Sequence, residues 1–361
     1  MVARVAARNF RNYSKAEVDL GGSTTIVHGP TGAGKTNLLE AIHFGLTGKS
    51  CRSANDRDLI RFDQRSAHAV VTSTGGDGST HTFESHLETG QAKLLKVDGV
   101  PATPQSPGDA HRPHVCVFMP DRLELVKGPA KVRRERFDMF VSVLWPARRA
   151  TRQSYVRALA QRNALLGRVR AGAASGDSQG GWNHELARHG VELMKDRGAA
   201  VEALVPHFTA RAAELGLEGE VVLSYRPRSR ASIVEELEAE FAESFAADVE
   251  RGYTGHGPHR DDYRFEVGGR DARRFASQGQ QRLVLLALIL AERDALREAH
   301  GSAPLLLLDD VLSELDLERR TRLMETLGAS GQAVITTAEP ESAWSLGTPL
   351  STVRVEAGVA A

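Results

Sequence analysis

Residues Gly29, Pro30, Thr31, Gly32, Ala33, Gly34, Lys35 and Thr36 fit the spacing GxxxxGK[ST]. Glycines at this spacing let a backbone curl so that successive N–H groups point inward, and a following helix adds its positive N-terminal end. The chemistry is the cradling of a concentrated negative charge, that of a triphosphate. Lys35 is expected to reach the β- and γ-phosphates and the Thr36 hydroxyl to ligate Mg²⁺. A chance Gly-rich turn would meet the pattern too, but it would not need the strand before it, the helix after it and a distant acidic strand.

That acidic strand is Leu305 to Leu308, four leucines followed by Asp309 and Asp310. A uniformly apolar run of this length is a buried parallel strand. Carboxylates at its C-terminal end sit where α/β sheets bind ligands. Asp309 is the expected Mg²⁺ partner and Asp310 the group that polarises an attacking water. An acidic helix-start turn is the plainer reading of the Asp pair by itself. A third segment, Ser277, Gln278, Gly279, Gln280 and Gln281, opens the apolar run Leu283 to Ala291. Taken alone it reads first as the cap of a core helix. Beside the first cradle it reads as a second anion site, serving ATP held by a neighbouring copy of the chain.

These segments must be positioned by an α/β core. Thr24 to His28 reads as a buried strand leading into the glycine loop, and Leu38 to Leu46 continues as a helix. Residues 66–100 hold short alternating runs broken by Gly75 to Gly78 and by Asp98-Gly99, which predicts hairpins. Pro101 to Pro113 is a loop, and Val115 to Met119 is another strand. From 121 to 250 the spacing turns helical: Arg133 to Leu144, Thr151 to Val169, His184 to Phe208, and an acidic helix from Ser232 to Arg251. Ala171 to Gly181, rich in Gly, Ser and Ala, is expected to be a mobile link. Val221 to Tyr225, Gln332 to Thr337 and Ser351 to Glu356 are strands. Lys35 and Asp309 must reach the same phosphates, so the expected ATPase domain is discontinuous, 1–120 and 251–361, with 121–250 inserted as a helical lobe.

Composition sets bounds. The 361 residues are 41% hydrophobic and 25% charged, as in a soluble globular protein. Two cysteines form no CxxC and fit a reducing cytoplasm. The N-terminus lacks the apolar run of a signal peptide, and Leu283 to Ala291 is too short to span a bilayer, so a cytoplasmic protein with no membrane partner is expected. Net charge is zero, but residues 122–170 hold 13 Lys and Arg against 3 Asp and Glu, while 231–250 hold 7 acids and no Lys or Arg. Such polarity suits nucleic acid, or merely solvated helix faces.

The pieces resemble, in order along nearly the whole chain, the ATP-binding-cassette ATPases whose heads dimerise on ATP, and more specifically the bacterial RecF recombination-repair family. They are Asn9-Phe-Arg-Asn-Tyr13, Gly29 to Ile42, Gly252-Tyr-Thr254, Gly257-Pro-His-Arg-Asp-Asp262, Ser277 to Arg282 and Leu307 to Asp316. Thr31 and Ala33 depart from the family's usual loop residues, and Gly255-His256 from a more apolar pair. The resemblance implies an α/β P-loop NTPase of ABC-ATPase/SMC-head type with an inserted helical lobe. It implies a weak, DNA-linked ATPase that closes as an ATP-dependent homodimer on gapped or junction DNA, single- and double-stranded, and loads a recombinase with RecR and RecO. It implies ATP and Mg²⁺ as cofactors, a nucleotide set of Gly29 through Asn37, and Ser277 to Gln280 acting in trans. Thr337 stands where transporter-type relatives carry a catalytic His. Three other readings are a RecF-like scaffold for a different effector, for instance in phage defence, a transporter ATPase subunit and a P-loop small-molecule kinase. The transporter reading needs a His at Thr337 and a short signature domain. The kinase reading leaves Ser277 to Gln281 and Ser313 to Asp316 unexplained.

Overall fold

The computed structural model describes residues 1–53, 55–103, 111–176, 179–328, 331–339, 351–356 and 358–360. Packing divides the chain into two units, Met1–Arg122 with Leu296–Ala361, and Leu123–Ala295.

The first unit begins with β1 (Val2–Phe10), β2 (Tyr13–Asp19), β3 (Thr24–His28), α1 (Lys35–Thr47), β4 (Ser66–Thr74), β5 (Thr80–Glu88), β6 (Leu94–Val97), β7 (Val100–Pro101) and β8 (Val115–Phe118). An antiparallel sheet runs β2-β1-β4-β5-β6-β7. Its strands alternate, with Val5, Ala7, Val18 and Val71 buried and Arg4, Arg8, Lys15 and Glu17 exposed, as expected for a sheet with one wet face. Helix α1 packs its Leu38, Leu39, Ile42 and Leu46 into the same core. Of the expected loop 101–113, residues 104–110 lie outside the described residues.

The second unit holds α2 (Glu124–Lys127), α3 (Ala130–Leu144), α4 (Arg149–Arg170), α5 (Gln179–Glu214), β9 (Val221–Arg226), α6 (Val234–Glu243), α7 (Phe245–Arg251), β10 (Asp262–Val267), β11 (Arg270–Asp271), α8 (Ala272–Phe275) and α9 (Gln278–His300). Strands β11-β10-β9 form a small antiparallel sheet. Tyr155, Leu186, Val191, Leu237 and Phe241 anchor its helical core. Three details differ from the sequence reading. The link after α4 is shorter than 171–181, because Gly172 at φ 68° turns the chain with Ala173 N–H donating to Arg168 O, and α5 absorbs Gly180 and Gly181. Residues 177–178 lie outside the described residues. The acidic helix is two helices: Ser244 returns its hydroxyl to the Glu240 carbonyl at 2.8 Å, competing with the helical ladder. The packing boundary lies at 295/296 and not at 250, since β9 and β10 pair over six residues and hold 251–295 in this unit.

The chain re-enters the first unit within α9, at Leu296, and continues with β12 (Leu305–Leu308), α10 (Leu317–Gly328), β13 (Ala333–Thr337), β14 (Ser351–Glu356) and β15 (Val359–Ala360). A second sheet runs β15-β14-β3-β13-β12-β8, parallel except for the β15 edge. All four leucines of β12 are buried, as a strand covered on both faces requires. Because β13 lies between β3 and β12, the C-terminal ends of these strands are neighbours, and they release His28, Thr337 and Leu308 at one edge.

Candidate nucleotide site

The glycine loop leaves β3 and closes on α1. Gly29, Gly32 and Gly34 have φ of 152°, 82° and 119°, where a side chain is strained. A Cβ on Gly29 would lie 2.1 Å from the Val355 carbonyl oxygen, and one on Gly34 2.4 Å from the Asn12 amide. At Gly32 the space is open. Lys35 Nζ donates to the Gly29 and Pro30 carbonyls at 2.8 and 2.9 Å, folding over the loop it serves. Burial lowers its pKa, while Asp310 and Asp309 act in the opposite sense.

The strand-end carboxylates meet the loop. Thr36 Oγ1 lies 2.8 and 3.0 Å from the two Asp309 oxygens. The Thr336 hydroxyl donates to Asp309 Oδ1 at 2.6 Å and accepts from the Asp310 N–H at 2.9 Å. Burial raises the Asp309 pKa, opposed by the Thr336 and Thr36 hydroxyls. Asp310 sits in the left-handed region at φ 46°, a conformation that costs a non-glycine residue energy and clusters at functional sites. Its Oδ1 is buried with no hydrogen-bond partner. A hydroxyl and two carboxylates are hard oxygen donors of the kind Mg²⁺ takes, and the orphaned oxygen fits a water or ligand proton, so the residues present suit the ion. Thr337 is fully buried and its hydroxyl accepts from the Glu339 N–H at 3.0 Å, capping the strand end.

Residues to which the sequence reading gave no bracing role hold this cradle. In the turn between β1 and β2, Asn12 Nδ2 donates to the Ala33 carbonyl at 2.9 Å and Tyr13 OH to the Gly34 carbonyl at 3.0 Å. Asn12 Oδ1 accepts from Asn37 Nδ2 at 2.8 Å, and Asn37 Oδ1 accepts from Arg52 at 3.0 Å. Arg11 grips the fully buried Glu40 with two bonds of 2.7 and 2.9 Å. The usable signal was Glu40 itself: a carboxylate among Leu38, Leu39, Ala41 and Ile42 demands a buried partner.

In the second unit, Ser277 to Gln281 starts α9 as a reciprocal capping box. Gln280 N–H donates to Ser277 Oγ at 3.2 Å, and Ser277 N–H to Gln280 Oε1 at 2.9 Å. Gln281 is buried and ties back to the Ala272 and Ala276 carbonyls. Ser277 and Gly279 stay at the surface. The plainer reading of this segment as a helix cap therefore describes its internal bonds, and Gly279 keeps its approach open, with only Ser277 Oγ within 4 Å of a Cβ there.

Five arginines of the basic block 122–170 are tied to carboxylates inside this unit. Arg133 pairs with Asp262 at 2.6 Å, Arg136 with buried Glu292, Arg148 with Asp196 at 3.1 Å and Arg152 with Asp138 at 3.1 Å. Arg162, fully buried, reaches Asp248 at 2.8 Å, Asn183 at 2.8 Å and Thr254 at 2.7 Å. Most of these countercharges come from segments remote in sequence, while Lys127, Lys131, Arg149, Arg157, Arg168 and Arg170 are exposed, so only part of the local excess of +10 stays on the surface.

The model for the "RecF/RecN/SMC N terminal domain" matches residues 1–360. The DNA replication and repair protein RecF of Desulforudis audaxviator is 36% identical over 353 residues, spanning 94% of each chain. That of an Anaeromyxobacter species is 37% identical over 348 residues, 93% of this chain and 91% of the relative. Among solved structures, the recombination mediator protein RecF with ATP superposes with a TM-score of 0.88 at 26% identity, covering 100% of this chain and 96% of the other. An SMC head bound to the winged-helix domain of ScpA aligns at 16% identity with a TM-score of 0.57, a likeness of fold alone, over 100% of this chain and 96% of that one. The fold is thus that of an α/β P-loop NTPase of the ABC-ATPase/SMC-head type, and the chain belongs to the RecF family.

Proposed function

We propose that this chain is an ATP-dependent DNA-binding protein of recombination repair, whose two copies close on ATP and reopen after slow hydrolysis. The observation that carries it is the Thr36–Asp309–Asp310 constellation at the mouth of the glycine loop, in a chain 36 and 37% identical to DNA replication and repair proteins. Lys35 exchanges two backbone carbonyls for the β- and γ-phosphates, and the loop N–H groups take the remaining oxygens. Thr36 and Asp309 would hold Mg²⁺, which when bound neutralises charge on the phosphates. Asp310, with its unpaired oxygen and strained backbone, orients the attacking water. It is one methylene shorter than a Glu, and Thr337 carries no titratable ring, so turnover is slow; such losses of positioning cost about a hundredfold.

Ser277 to Gln280, at the start of α9, contact in trans the γ-phosphate of the ATP held by the partner copy. The bound DNA is gapped or junctional, RecR and RecO are the protein partners, and the protein works in the cytoplasm. Analytical ultracentrifugation with ATP, with ADP and with gapped DNA tests the reading. Dimers are expected with ATP and not with ADP, and gapped DNA should sediment with the dimer. The Ser277→Arg variant should bind ATP as a monomer and fail to hydrolyse it; normal hydrolysis by that variant would remove the in-trans role.

A further inference from the structure

The segment Gly252 to Asp262 lies in the second unit, and nearly all of it is internally committed. Gly252 caps α7 at φ 78°, where a Cβ would strike the Arg170 guanidinium at 2.7 Å. Thr254 is held by Arg162 and by Asn163, its N–H donating to Asn163 Oδ1 at 2.8 Å. Gly255 N–H donates to Asp248 at 2.9 Å, and His256 pairs with Glu240 at 2.6 Å. Gly257 lies against Phe241 and Tyr155, and the Pro258 carbonyl accepts from Arg197 at 2.7 Å. His259 joins Tyr155 OH at 2.8 Å to the Thr254 carbonyl at 2.9 Å. Burial pushes its pKa down to about 4, so a neutral ring accepts from the phenol and donates to the carbonyl. Asp261 receives Arg197 and the Arg228 N–H, and Asp262 receives Arg133.

Two residues have no such task. Tyr253 is 45% exposed, Arg260 is exposed, and the Arg260 guanidinium carbon lies 5.7 Å from the Tyr253 ring centroid. A loop pinned at its other residues presents one aromatic–guanidinium pair, within cation–π distance, to solvent. The carboxylates that touch the loop, Asp248, Glu240, Asp261 and Asp262, are engaged by Arg162, His256, Arg197 and Arg133. Arg170 and Arg251 stand beside it, Arg170 donating to the Arg251 carbonyl at 3.0 Å. Arg251 is itself paired with Asp248 at 3.0 Å, so the loop's own exposed cation is Arg260, beside the half-exposed Tyr253 ring.

We infer that Tyr253 and Arg260 form a preorganised contact for single-stranded nucleic acid, Arg260 taking a backbone phosphate and Tyr253 a base. The inference rests on the DNA-binding function proposed above. A guanidinium held on a ring keeps its N–H edge free for phosphate oxygens. The ring offers a stacking face that any unpaired base can use and that a base inside a duplex cannot. A small anion would use the arginine and leave the tyrosine idle.

The test measures binding of the full-length protein with ATP to a fluorescent single-stranded oligonucleotide and to a duplex, across salt concentrations. Tyr253→Ala should weaken single-strand binding about tenfold, within the usual range for one stacked base, and leave duplex affinity within about twofold. Arg260→Gln should flatten the slope of log affinity against log salt by about 0.7 per chain on the single strand. Arg260→Lys should restore the slope but not the full affinity. Unchanged single-strand affinity and slope in both variants would overturn the inference, and would leave acidic protein partners as what the pair serves. Equal losses on duplex and single strand would overturn the stacking role. If the parent protein binds neither DNA, the broader functional reading fails first, which keeps the two failures apart. Thermal melting of both variants should match the parent, because neither side chain is buried.

Discussion

The glycine-loop site and the arginine-rich lobe treat charge in opposite ways. At the loop, Lys35 is parked on two backbone carbonyls and Asp310 keeps an oxygen without a partner, so the local chemistry is held in reserve. In the lobe, Arg133, Arg136, Arg148, Arg152 and Arg162 each meet a carboxylate, and their charge is consumed by the fold. The proposed reactive site holds few charges, and five arginines of the segment with many are tied into the fold. A run of like charge in a sequence reports a surface only when no other segment supplies the countercharge.

Four measurements test this contrast, in order of decreasing expected effect. Asp310→Asn should lower ATP hydrolysis by two to four powers of ten, the span of a lost general base, while ATP binding and the closed dimer persist. Hydrolysis at the parental rate would show that the unpaired oxygen is not the reserved group. Arg162→Ala should destabilise the second unit by about 3–5 kcal/mol, because Asp248 is then left buried without its main partner. Denaturant midpoints would reveal it; a loss below about 1 kcal/mol would mean that the lobe's pairs are dispensable.

The third measurement concerns pH. Burial raises the Asp309 pKa, so the folded protein holds that proton to higher pH than the unfolded chain does. The linked stability is fully present below the unfolded carboxylate pKa and is lost as pH rises through the raised folded value. Asp309→Asn should therefore raise the melting temperature at neutral pH, with the gain shrinking on acidification, at the expense of Mg²⁺-dependent nucleotide binding. A gain that does not vary with pH would assign the effect to packing. The smallest effect is expected from neutralising Arg148, Arg149 and Arg152 together. Were all three duplex phosphate contacts, the salt slope would fall by about 0.9 for each. Since Arg148 and Arg152 are already paired with Asp196 and Asp138, little change is expected. A large drop would return the basic block to the DNA surface.

Much of the fold was legible where local chemistry is self-sufficient. The buried run Thr24 to His28, the leucines of β12 and the hairpins broken at Gly75 to Gly78 and Asp98-Gly99 stand where periodicity and turn residues put them. Helix ends that depend on a single competing hydrogen bond were not legible. Ser244 splitting the acidic helix is one such case, and Gly180 and Gly181 join α5 against their own helix propensity.

By itself the sequence determined the composition of the cradle: three glycines that accept positive φ, a lysine and a threonine at fixed offsets, and two carboxylates after an all-leucine strand. These properties are carried by neighbouring residues, and covalent spacing preserves them. The tertiary structure alone decided which distant groups met. It set Asn12 and Tyr13 against the loop, Thr336 between Asp309 and Asp310, and Glu40 under Arg11. It also decided which arginines were neutralised, leaving Arg260 with Tyr253 at the surface. Electrostatic energy depends on distance and burial, and for residues 273 positions apart, as Thr36 and Asp309 are, both are properties of the folded chain.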